Sequence, residues 1–372
     1  MQRAHKIRIY PTREQEVRLY KTAGTSRYAY NWALEQWKSM YDAFDKGLSS
    51  EKPSVLKLSA KWTKERPEWS HETYRGSQTR AIADVGTAFQ NLWKGRTSYP
   101  KFHKKGRKDS FYVDNAHAYM EDNHISLPKI GKVRLAEPLR YQGKIMSYTV
   151  STYAGQWFVS VQVEINTDAR PRCEAPQSSV GIDVGLSHVA VASDGTVLDM
   201  PKSLHRLDKH LKALQRKLSK KAKRSRNRSK ALHRKQKVQR RIDNIRKDAV
   251  HKFTHTITKN HGIVVTEDLN LQGMVQTGHK SLRRSLAHSL MGEVIRQVAY
   301  KAQRHVMVDR FFPSSKKCSK CGFVKASLGL DERTYRCEAC GLVIDRDYNA
   351  SLNLMQAGKV IPGVPVESAD IR

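Results

Sequence analysis

Three acidic residues that lie far apart in the chain have the chemical type and the sequence surroundings of metal ligands. They are Asp183, Glu267 and Asp347. Asp183 and Glu267 belong to apolar, β-branched runs that are typical of buried strands. A buried carboxylate is costly unless it is paired or bound to a metal. Three carboxylates that can converge in a very basic protein therefore suggest divalent metal ions acting on the phosphates of a nucleic acid.

The residues alone leave other interpretations of these acids open. Each acid could be a structural cap, and two neighbours compete with the candidate ligands. Asp345 is well placed to be the N-cap of a helix whose first turn holds Asp347. Asp268 should point to the opposite face of its strand from Glu267, because side chains alternate along a strand.

The most specific local signal is a set of four cysteines in two Cys-x-x-Cys pairs, with fifteen residues between the pairs and a glycine after each. This spacing predicts a zinc ribbon, in which four thiolates leave no open coordination position, so the zinc should be structural. A redox pair and an iron–sulfur site are the alternatives. The predicted ligands are Cys318, Cys321, Cys337 and Cys340. The fifth cysteine, Cys173, is interpreted as an incidental thiol in a Pro/Ser-containing linker.

The charge of the chain favours a polyanionic partner. It has 68 Lys and Arg against 35 Asp and Glu, which gives a formal net charge of +33. Such a field attracts nucleic acids and steers them to the protein. A surface that is charged only for solubility is the alternative.

The most basic segment, 202–247, has twenty Lys and Arg and two acids, Asp208 and Asp243. Leucines at spacings of three and four predict an amphipathic helical hairpin with a basic tip. So dense a cluster of one sign indicates a bound polyanion, although a solvated face is possible on composition alone. The predicted contacts at this tip are Lys220, Lys221, Lys223, Arg224, Arg226 and Arg228. A second basic segment, the aromatic-rich loop 99–113, adds Lys101, Lys104, Lys105 and Arg107.

The first 170 residues are patterned differently from the rest. Residues 5–10 alternate as a strand does, and Thr12 with Gln15 fits a capping box. Helical patterning follows to about residue 95, interrupted by a loop at 47–53. Short alternating runs then predict a small antiparallel barrel or sandwich, which the strand at 5–10 would complete, with the helical segment as an insertion.

The acids and cysteines described above belong to a wider set of motifs, through which the chain resembles the TnpB family. Members of this family are RNA-guided nucleases encoded by bacterial insertion sequences and related to type V CRISPR effectors. The motifs cover nearly the whole chain in family order, and the set is specific although single motifs are not. They are Tyr28-Ala-Tyr-Asn-Trp-Ala, Tyr99-Pro-Lys-Phe, Leu127-Pro-Lys-Ile-Gly, Gly181-Ile-Asp-Val-Gly, Thr266-Glu-Asp-Leu-Asn, Phe312-Pro-Ser-Ser, the four cysteines, and Asp345-Arg-Asp-Tyr-Asn-Ala-Ser-Leu-Asn.

The resemblance implies an α/β multidomain fold. Its parts would be a wedge-like β-barrel with an inserted helical recognition lobe, then a RuvC-like (ribonuclease H-like) nuclease domain with an inserted zinc ribbon. The implied bounds are 1–11 and 99–170 for the barrel, 12–98 for the lobe, 178–316 and 342–372 for the nuclease domain with its basic hairpin at 202–250, and 317–341 for the ribbon.

The resemblance also implies an activity. The protein would bind a guide RNA from the transposon end, recognise a short motif beside its target and cleave double-stranded DNA. By motif position, Asp183, Glu267 and Asp347 would be the catalytic ligands of two Mg²⁺ ions. No obligate protein partner is implied. The chain has no run of about 18 apolar residues and no apolar signal-peptide core, so we expect no membrane partner and a cytoplasmic, bacterial, nucleoid-associated location.

Two other functions are weighed against this one. An RNA-guided DNA-binding regulator without cleavage is disfavoured by the three intact acids. A DDE-type transposase also uses three acids, but a zinc ribbon between the second and third is not expected there. Two departures from the family pattern are small: Thr266 precedes the Glu where an aliphatic residue is commoner, and Ser351 replaces a common Ala.

Overall fold

The computed structural model describes residues 2–106, 109–165, 173–201, 203–279, 290–329 and 331–360. The chain forms two compact units, Met1–Ala169 and Arg170–Arg372. Each has its own hydrophobic core. Among the described residues, no helix has both the length and the apolar character needed to cross a membrane.

The first unit contains a seven-stranded antiparallel sheet in the order β2-β6-β7-β1-β5-β4-β3. Its central strand β1 pairs along most of its length with β7, which comes much later in the chain, so the N-terminus is essential to this sheet. The strands are β1 (Gln2–Tyr10), β2 (Ser110–Asp114), β3 (Tyr119–Glu121), β4 (His124–Leu127), β5 (Gly131–Leu135), β6 (Lys144–Tyr153) and β7 (Gln156–Glu164).

Three α-helices lie between β1 and β2, as the inserted helical segment predicted. They are α1 (Arg13–Asp45), α2 (Val55–Glu65) and α3 (Arg75–Trp93), with a 3₁₀ turn at Glu68–Glu72. The predicted capping box is confirmed, because the Gln15 amide donates to Thr12 Oγ1 and the Thr12 amide donates to Gln15 Oε1. The helices pack around Trp37, Trp62 and Ile82, which are almost fully buried.

The second unit is built on a five-stranded mixed sheet in the order β10-β9-β8-β11-β12. The strands are β8 (Ser179–Asp183), β9 (Ala190–Ala192), β10 (Val197–Leu198), β11 (Ile263–Glu267) and β12 (Arg304–Val308). β8, β11 and β12 run parallel, and β9 and β10 add an antiparallel edge. The run that ends in Glu267 is therefore a buried parallel strand, as its unbroken apolar sequence predicted.

Helices cover both faces of this sheet. The helices are α4 (Ser203–Ser219), α5 (Arg226–Asn260), α6 (Leu271–Thr277), α7 (Met291–Lys301) and α8 (Arg346–Val360). Side chains of α5 and α7 share one core cluster with Val180, Ile182 and Val264. Leu354 of α8 packs instead with Val265 and its neighbours, so α8 covers the opposite face. The predicted basic hairpin is α4 and α5, which pack through Leu204, Leu211 and Ile242.

The close approach of α8 to the sheet depends on a glycine. A Cβ atom on Gly181, in the middle of β8, would collide with the carbonyl oxygen of Ser351 and lie 2.5 Å from the amide nitrogen of Met355. Both atoms belong to the α8 backbone, which cannot move aside as a side chain could. Glycine therefore fixes how closely α8 lies against the strand.

A short ribbon with strands β13 (Thr334–Arg336) and β14 (Val343–Asp345) precedes α8. The two sheets and their helices make an α/β fold, as the sequence predicted. Closure of the first sheet into a barrel stays a prediction, since its terminal strands β2 and β3 do not pair in the described part of the chain.

Candidate metal centres

The parallel register of the second sheet brings two of the predicted acids to the same edge. Ile182 of β8 pairs with Thr266 of β11, and the next residue in each strand is Asp183 or Glu267. Side chains at matching positions of neighbouring parallel strands point to the same face. Val265 packs on the α8 side and Gly181 lies against α8, so the acids two residues further along face the same side.

Helix α8 supplies the third acid. Asp347 lies in its first turn, as predicted, and is 8 % exposed. Its Oδ1 atom is 3.5 Å from Nε of Arg346, so one cation accompanies the cluster. Because α8 crosses β8 at Gly181, its first turn lies over the end of that strand, where Asp183 is located.

The charges of Asp347 and Glu267 both act on Asp183. The pKa of Asp183 is raised to about 7, first by burial and then by the negative charges of Asp347 and Glu267, while Arg346 opposes the rise. Burial also raises the pKa of Glu267, against a hydrogen bond from Ser314. A carboxyl whose pKa is perturbed by burial and by specific like charges is typical of a functional site.

The two competing acids have other partners. Asp345 Oδ1 accepts a hydrogen bond of 2.9 Å from the Tyr348 amide, which is the N-cap interaction predicted for it. Asp268 forms an ion pair with Arg310.

The four predicted zinc ligands form a tight cluster. Their Sγ atoms all lie within 4.8 Å of one another, and within the described ranges no other group of three or more metal-binding side chains does so. The Cys318–Cys340 and Cys321–Cys337 sulfur pairs are 3.7 and 3.5 Å apart. Thiolates around a tetrahedral Zn²⁺ at about 2.3 Å would be separated by roughly 3.8 Å. The donor set and its spacing therefore fit a structural zinc ion.

Each pair of cysteines forms the same backbone turn. The amides of Gly322 and Gly341 donate to the carbonyl oxygens of Cys318 and Cys337, four residues earlier. Both glycines have positive φ, +80° and +69°, which other residues adopt only with strain. The glycine after each Cys-x-x-Cys thus lets the backbone turn around the sulfurs.

Three amide side chains of α8 hold the first cysteine turn. Asn349 accepts from the Ser319 amide at 3.0 Å and donates to the Lys317 carbonyl at 2.7 Å. Asn353 donates to the same carbonyl at 2.6 Å, and Gln356 donates to the Ser319 carbonyl at 2.9 Å. The zinc ribbon is therefore bound to the helix that carries Asp347.

A serine connects the same network to the second acid. Ser314 is buried, its carbonyl accepts from Asn353 at 2.8 Å, and its hydroxyl donates to Glu267 Oε2 at 3.5 Å. The family motifs quoted above contain Ser314, Asn349 and Asn353, but the sequence assigned no role to them. Polar residues at i, i+4 and i+7 (349, 353 and 356) mark one face of helix α8 and also point to Gln356, which lies outside the motifs.

The predicted nucleic-acid contacts are mostly exposed side chains. Lys101, Lys104 and Lys105 lie on a loop whose His103 ring stacks 3.8 Å from that of Tyr30. At the tip of the α4–α5 hairpin, five of the six cations are exposed: Lys220, Lys221, Lys223, Arg224 and Arg226. The sixth, Arg228, is half-buried and donates to the Leu218 and Lys221 carbonyls, so it closes the turn. Arg107 lies outside the described residues.

The two residues that depart from the family pattern, Thr266 and Ser351, both find hydrogen-bond partners in the fold. Thr266 Oγ1 lies 2.9 Å from His305 Nε2, and the Ser351 hydroxyl donates to the Tyr348 carbonyl at 2.7 Å. Neither side chain is left buried without a partner, so neither substitution disturbs the sheet or the helix.

Three family models match parts of the chain. Residues 151–278 match OrfB_IS605, described as a probable transposase, and residues 292–354 match the Cas12f1-like TNB domain. Residues 1–46 match a model described as a helix-turn-helix domain. In this chain residues 2–45 are instead strand β1 followed by the single helix α1, so this segment is not built as a helix-turn-helix.

Full-length relatives are similar along almost the entire chain. "Putative RNA-guided DNA endonuclease InsQ" of Escherichia coli K12 is 30% identical and aligns with 96% of this chain and 92% of its own length. "Putative RNA-guided DNA endonuclease" of Streptomyces pristinaespiralis is 33% identical, with 96% and 90% covered. TnpB-like protein L79 of Acanthamoeba polyphaga mimivirus is 22% identical, with 95% and 73% covered.

A solved structure shares the fold. In the Cas12f1–sgRNA–target DNA complex, the protein aligns over 92% of this chain and 82% of its own, with a TM-score of 0.53 and 13% identity. At this identity the similarity concerns the fold alone.

We expect one zinc ion per chain at the four cysteines. Cys337→Ser should reduce the zinc content to near zero and expose the ribbon to proteolysis, because three thiolates hold zinc far less tightly than four. Elemental analysis and limited proteolysis measure the two effects. Cys173→Ser is the matched control, since this partly exposed thiol lies outside the cluster. Zinc retained in Cys337→Ser would contradict the site.

We also expect ionisation of Asp183 to destabilise the metal-free protein at neutral pH and above. Its pKa is about 7 in the folded chain and about 3.9 when unfolded, so between these values the folded state holds the extra proton and stability falls as pH rises. Asp183→Asn has no charge to bury and should gain roughly 1 to 3 kcal/mol over wild type between pH 5.5 and pH 8.

Denaturant unfolding of both proteins at the two pH values measures this difference. All other titrating groups are shared, so the change in the stability difference with pH reports Asp183 together with its interactions with the neighbouring charged groups. Asp248→Asn is the control, because its side chain is 62 % exposed and pairs with Lys252 on the surface. If the difference in unfolding free energy between Asp183→Asn and wild type did not change with pH, Asp183 would titrate as an ordinary carboxyl.

Proposed function

Since this chain belongs to the TnpB family, to which its full-length relatives also belong, we propose that it is an RNA-guided DNA endonuclease. It would bind a guide RNA from the transposon end, recognise a short motif beside its target, and hydrolyse phosphodiester bonds of double-stranded DNA. The observation that supports this most is that the strand register brings Asp183 and Glu267 to one edge of the second sheet, where the charge of Asp347 also acts on Asp183.

The donor set of this site suits magnesium. Mg²⁺ is bound through carboxylate oxygens, and the buried Asp183, which lies near the charges of Asp347 and Glu267, would gain most from a cation that neutralises them. Asp183, Glu267 and Asp347 would hold the ions. When bound, a pair of Mg²⁺ ions activates the attacking water and stabilises the leaving oxygen of an in-line displacement.

The surrounding residues of the chain would orient these ligands. Ser314 donates to one oxygen of Glu267 and fixes the direction of the other, and Arg346 lies beside Asp347. The amide network of Asn349 and Asn353 keeps α8, and with it Asp347, in register with the ribbon. A site held by rigid elements keeps its ligands within the narrow geometry that metal catalysis needs.

For the whole chain we propose the following division. A wedge-like barrel at 1–11 and 99–170 would carry an inserted recognition lobe at 12–98. A RuvC-like nuclease domain at 178–316 and 342–372 would include the zinc ribbon at 317–341. The two compact units described above support a division close to residue 170.

A DDE-type transposase is the second candidate, and the description of one matching family model, probable transposase, favours it. The relatives that align over the full chain carry the endonuclease name, and the zinc site lies between the second and third acids, so we prefer the guided nuclease. Sequencing the RNA that co-purifies with the protein distinguishes them, because a guided nuclease should carry one defined RNA and a transposase none.

We expect Asp183→Ala, Glu267→Ala and Asp347→Ala each to lower Mg²⁺-dependent cleavage of target DNA by roughly a thousandfold or more. Losing a metal ligand removes several kcal/mol of transition-state stabilisation. RNA and DNA binding should stay nearly intact because the basic surfaces are untouched. The measurements are single-turnover cleavage and equilibrium binding of the RNA-loaded protein.

Asp345→Ala and Asp268→Ala are the matched controls, since these acids adjoin the site but bind the Tyr348 amide and Arg310. Both should be milder, with Asp345→Ala losing about 1 kcal/mol of stability as a cap substitution does. If Asp345→Ala were inactive and Asp347→Ala active, the assignment of the third ligand would be wrong.

A second test concerns the hairpin tip, which we propose lies along the nucleic acid. Neutralising the five exposed cations should weaken binding to all sequences. The log–log dependence of affinity on salt should become shallower by about 0.7 to 0.9 for each phosphate that the protein no longer neutralises. The preferred target-adjacent motif should not change, because phosphate contacts position a complex without specifying sequence. The variant changes five residues to Gln: Lys220, Lys221, Lys223, Arg224 and Arg226.

Arg228 is left in place because it closes the turn between the two helices. The control removes five charges elsewhere, so that its net charge matches that of the tip variant. It changes five lysines to Gln: Lys46, Lys52, Lys57, Lys61 and Lys64. A salt titration of binding and a randomised-motif cleavage assay provide the measurements. Equal slopes in the two variants would show that the tip neutralises no more phosphates than an equal number of lysines in the proposed recognition lobe, and an altered motif would show that the tip reads bases.

A further inference from the structure

Phe311 is the most exposed large apolar side chain in the described residues, at 86 %. It lies in the loop that follows β12, between Arg310 and Phe312. Phe312 is partly buried against Val306, Val308 and Leu354. Two consecutive phenylalanines thus point in different directions, one into the core and one into solvent.

The loop holds Phe311 in this position through several hydrogen bonds. Its amide donates to Asp309 Oδ1 at 2.8 Å, and the Phe312 amide donates to the Asp309 carbonyl at 3.0 Å. The Ser314 amide then donates to the Phe312 carbonyl at 2.7 Å. The exposed ring is therefore carried on a fixed turn, and its display is built into the backbone.

The loop begins beside the candidate metal centre. Val308 pairs with Glu267 in the β11–β12 register, and the Asp268 amide donates to the Val308 carbonyl at 2.9 Å. Arg310 pairs with Asp268, the residue next to Glu267. Three residues of chain and one strand spacing place the Cα of Phe311 at most roughly 16 Å from that of Glu267. A nucleic-acid strand in the site would thus pass within a few nucleotides of the ring.

Single exposed apolar residues are common on protein surfaces and usually need no explanation. This one differs in three respects: its near-complete exposure, its fixed turn, and its place at the edge of the sheet where the acids converge. Arg310 and Lys316 are exposed on the same loop. Arg310 pairs with Asp268, and Lys316 donates to the Ala326 carbonyl, yet both cations stay open to solvent on this loop. An exposed aromatic ring on a loop that also carries cations matches a ligand that has planar bases and a phosphate backbone.

We propose that Phe311 stacks on a nucleobase of the DNA strand that enters the metal centre. This inference rests on the proposed function, which it deepens by naming a contact that positions the substrate. Stacking does not depend on base identity, so the contact would hold any target strand, as a guided nuclease requires. Phe311 is a positioning residue, since it would contact a base and not the reacting phosphate.

The test is a double-mutant cycle, in which loss of the aromatic ring in the protein is combined with loss of a base in the DNA. The RNA-loaded full-length protein is given target DNA matched to its co-purified RNA, with one abasic residue placed in turn at each position near the cleavage site. Cleavage is followed under single-turnover conditions at subsaturating DNA. Phe311→Leu keeps an apolar side chain but removes the aromatic face, and Phe311→Tyr retains it.

Loss of one stacked base corresponds to about a 5- to 150-fold effect. We expect Phe311→Leu to slow cleavage of intact DNA by this factor and Phe311→Tyr to stay within about threefold. At one abasic position, wild type should slow to the rate of Phe311→Leu, and the variant should slow no further. Met307→Ala is the control, because Met307 is 57 % exposed on the preceding strand β12; it should cleave as wild type does.

Two results would overturn the proposal: Phe311→Leu cleaving as fast as wild type, or its defect adding fully to that of every abasic position. Absence of cleavage by the wild type would instead contradict the proposed nuclease function. In that case, 2-aminopurine at the same positions tests stacking by binding alone. Quenching in wild type and Phe311→Tyr but not in Phe311→Leu supports the contact, and equal quenching in all three rejects it.

Discussion

The packing of helix α8 against strand β8 is the contact on which the second unit depends. It is possible only because Gly181 has no Cβ to collide with the Ser351 carbonyl. At the other end of the helix, Gly358 makes a similar approach to the side chain of Val265. With the helix this close, Asp347 comes within electrostatic range of Asp183, and the α8 amides reach the backbone of the zinc ribbon. A single steric condition in the sheet thus positions parts of both candidate metal centres.

The convergence of three acids has an energetic cost. Burial of Asp183, and then the negative charges of Asp347 and Glu267, raise its pKa to about 7, so a large fraction of this carboxyl stays protonated near neutral pH. Arg346 offsets only part of this repulsion. Such a cluster does not stabilise the metal-free fold, and the surrounding packing has to hold it together. Functional sites commonly store unfavourable interactions that the rest of the structure supports.

The zinc site and the acidic site share one set of supports. Lys317, next to the first cysteine, accepts hydrogen bonds from Asn349 and Asn353, and Asn353 also binds the carbonyl of Ser314, whose hydroxyl reaches Glu267. A zinc ion that stiffens the cysteine turn would therefore also stiffen the supports of two acids. This explains physically why a ligand-saturated zinc site, with no position open for catalysis, lies beside the acids.

The sequence by itself determined the elements whose signals are local. Apolar, β-branched runs predicted strands such as β11, leucine spacing predicted the α4–α5 hairpin, and the Cys-x-x-Cys pairs with their glycines predicted the ribbon. It also named Asp183, Glu267 and Asp347 as candidate ligands, with their assignment resting on the family motifs and with Asp345 predicted as an N-cap, which the Tyr348 amide confirms. Only the tertiary structure decided which groups meet. Three features depend on atoms far apart in the chain: the parallel register of β8 and β11, the close packing of α8 on Gly181, and the Ser314 contact with Glu267. Such contacts leave no periodic trace in sequence, because many residue types satisfy each position alone and only the packed backbone selects among them.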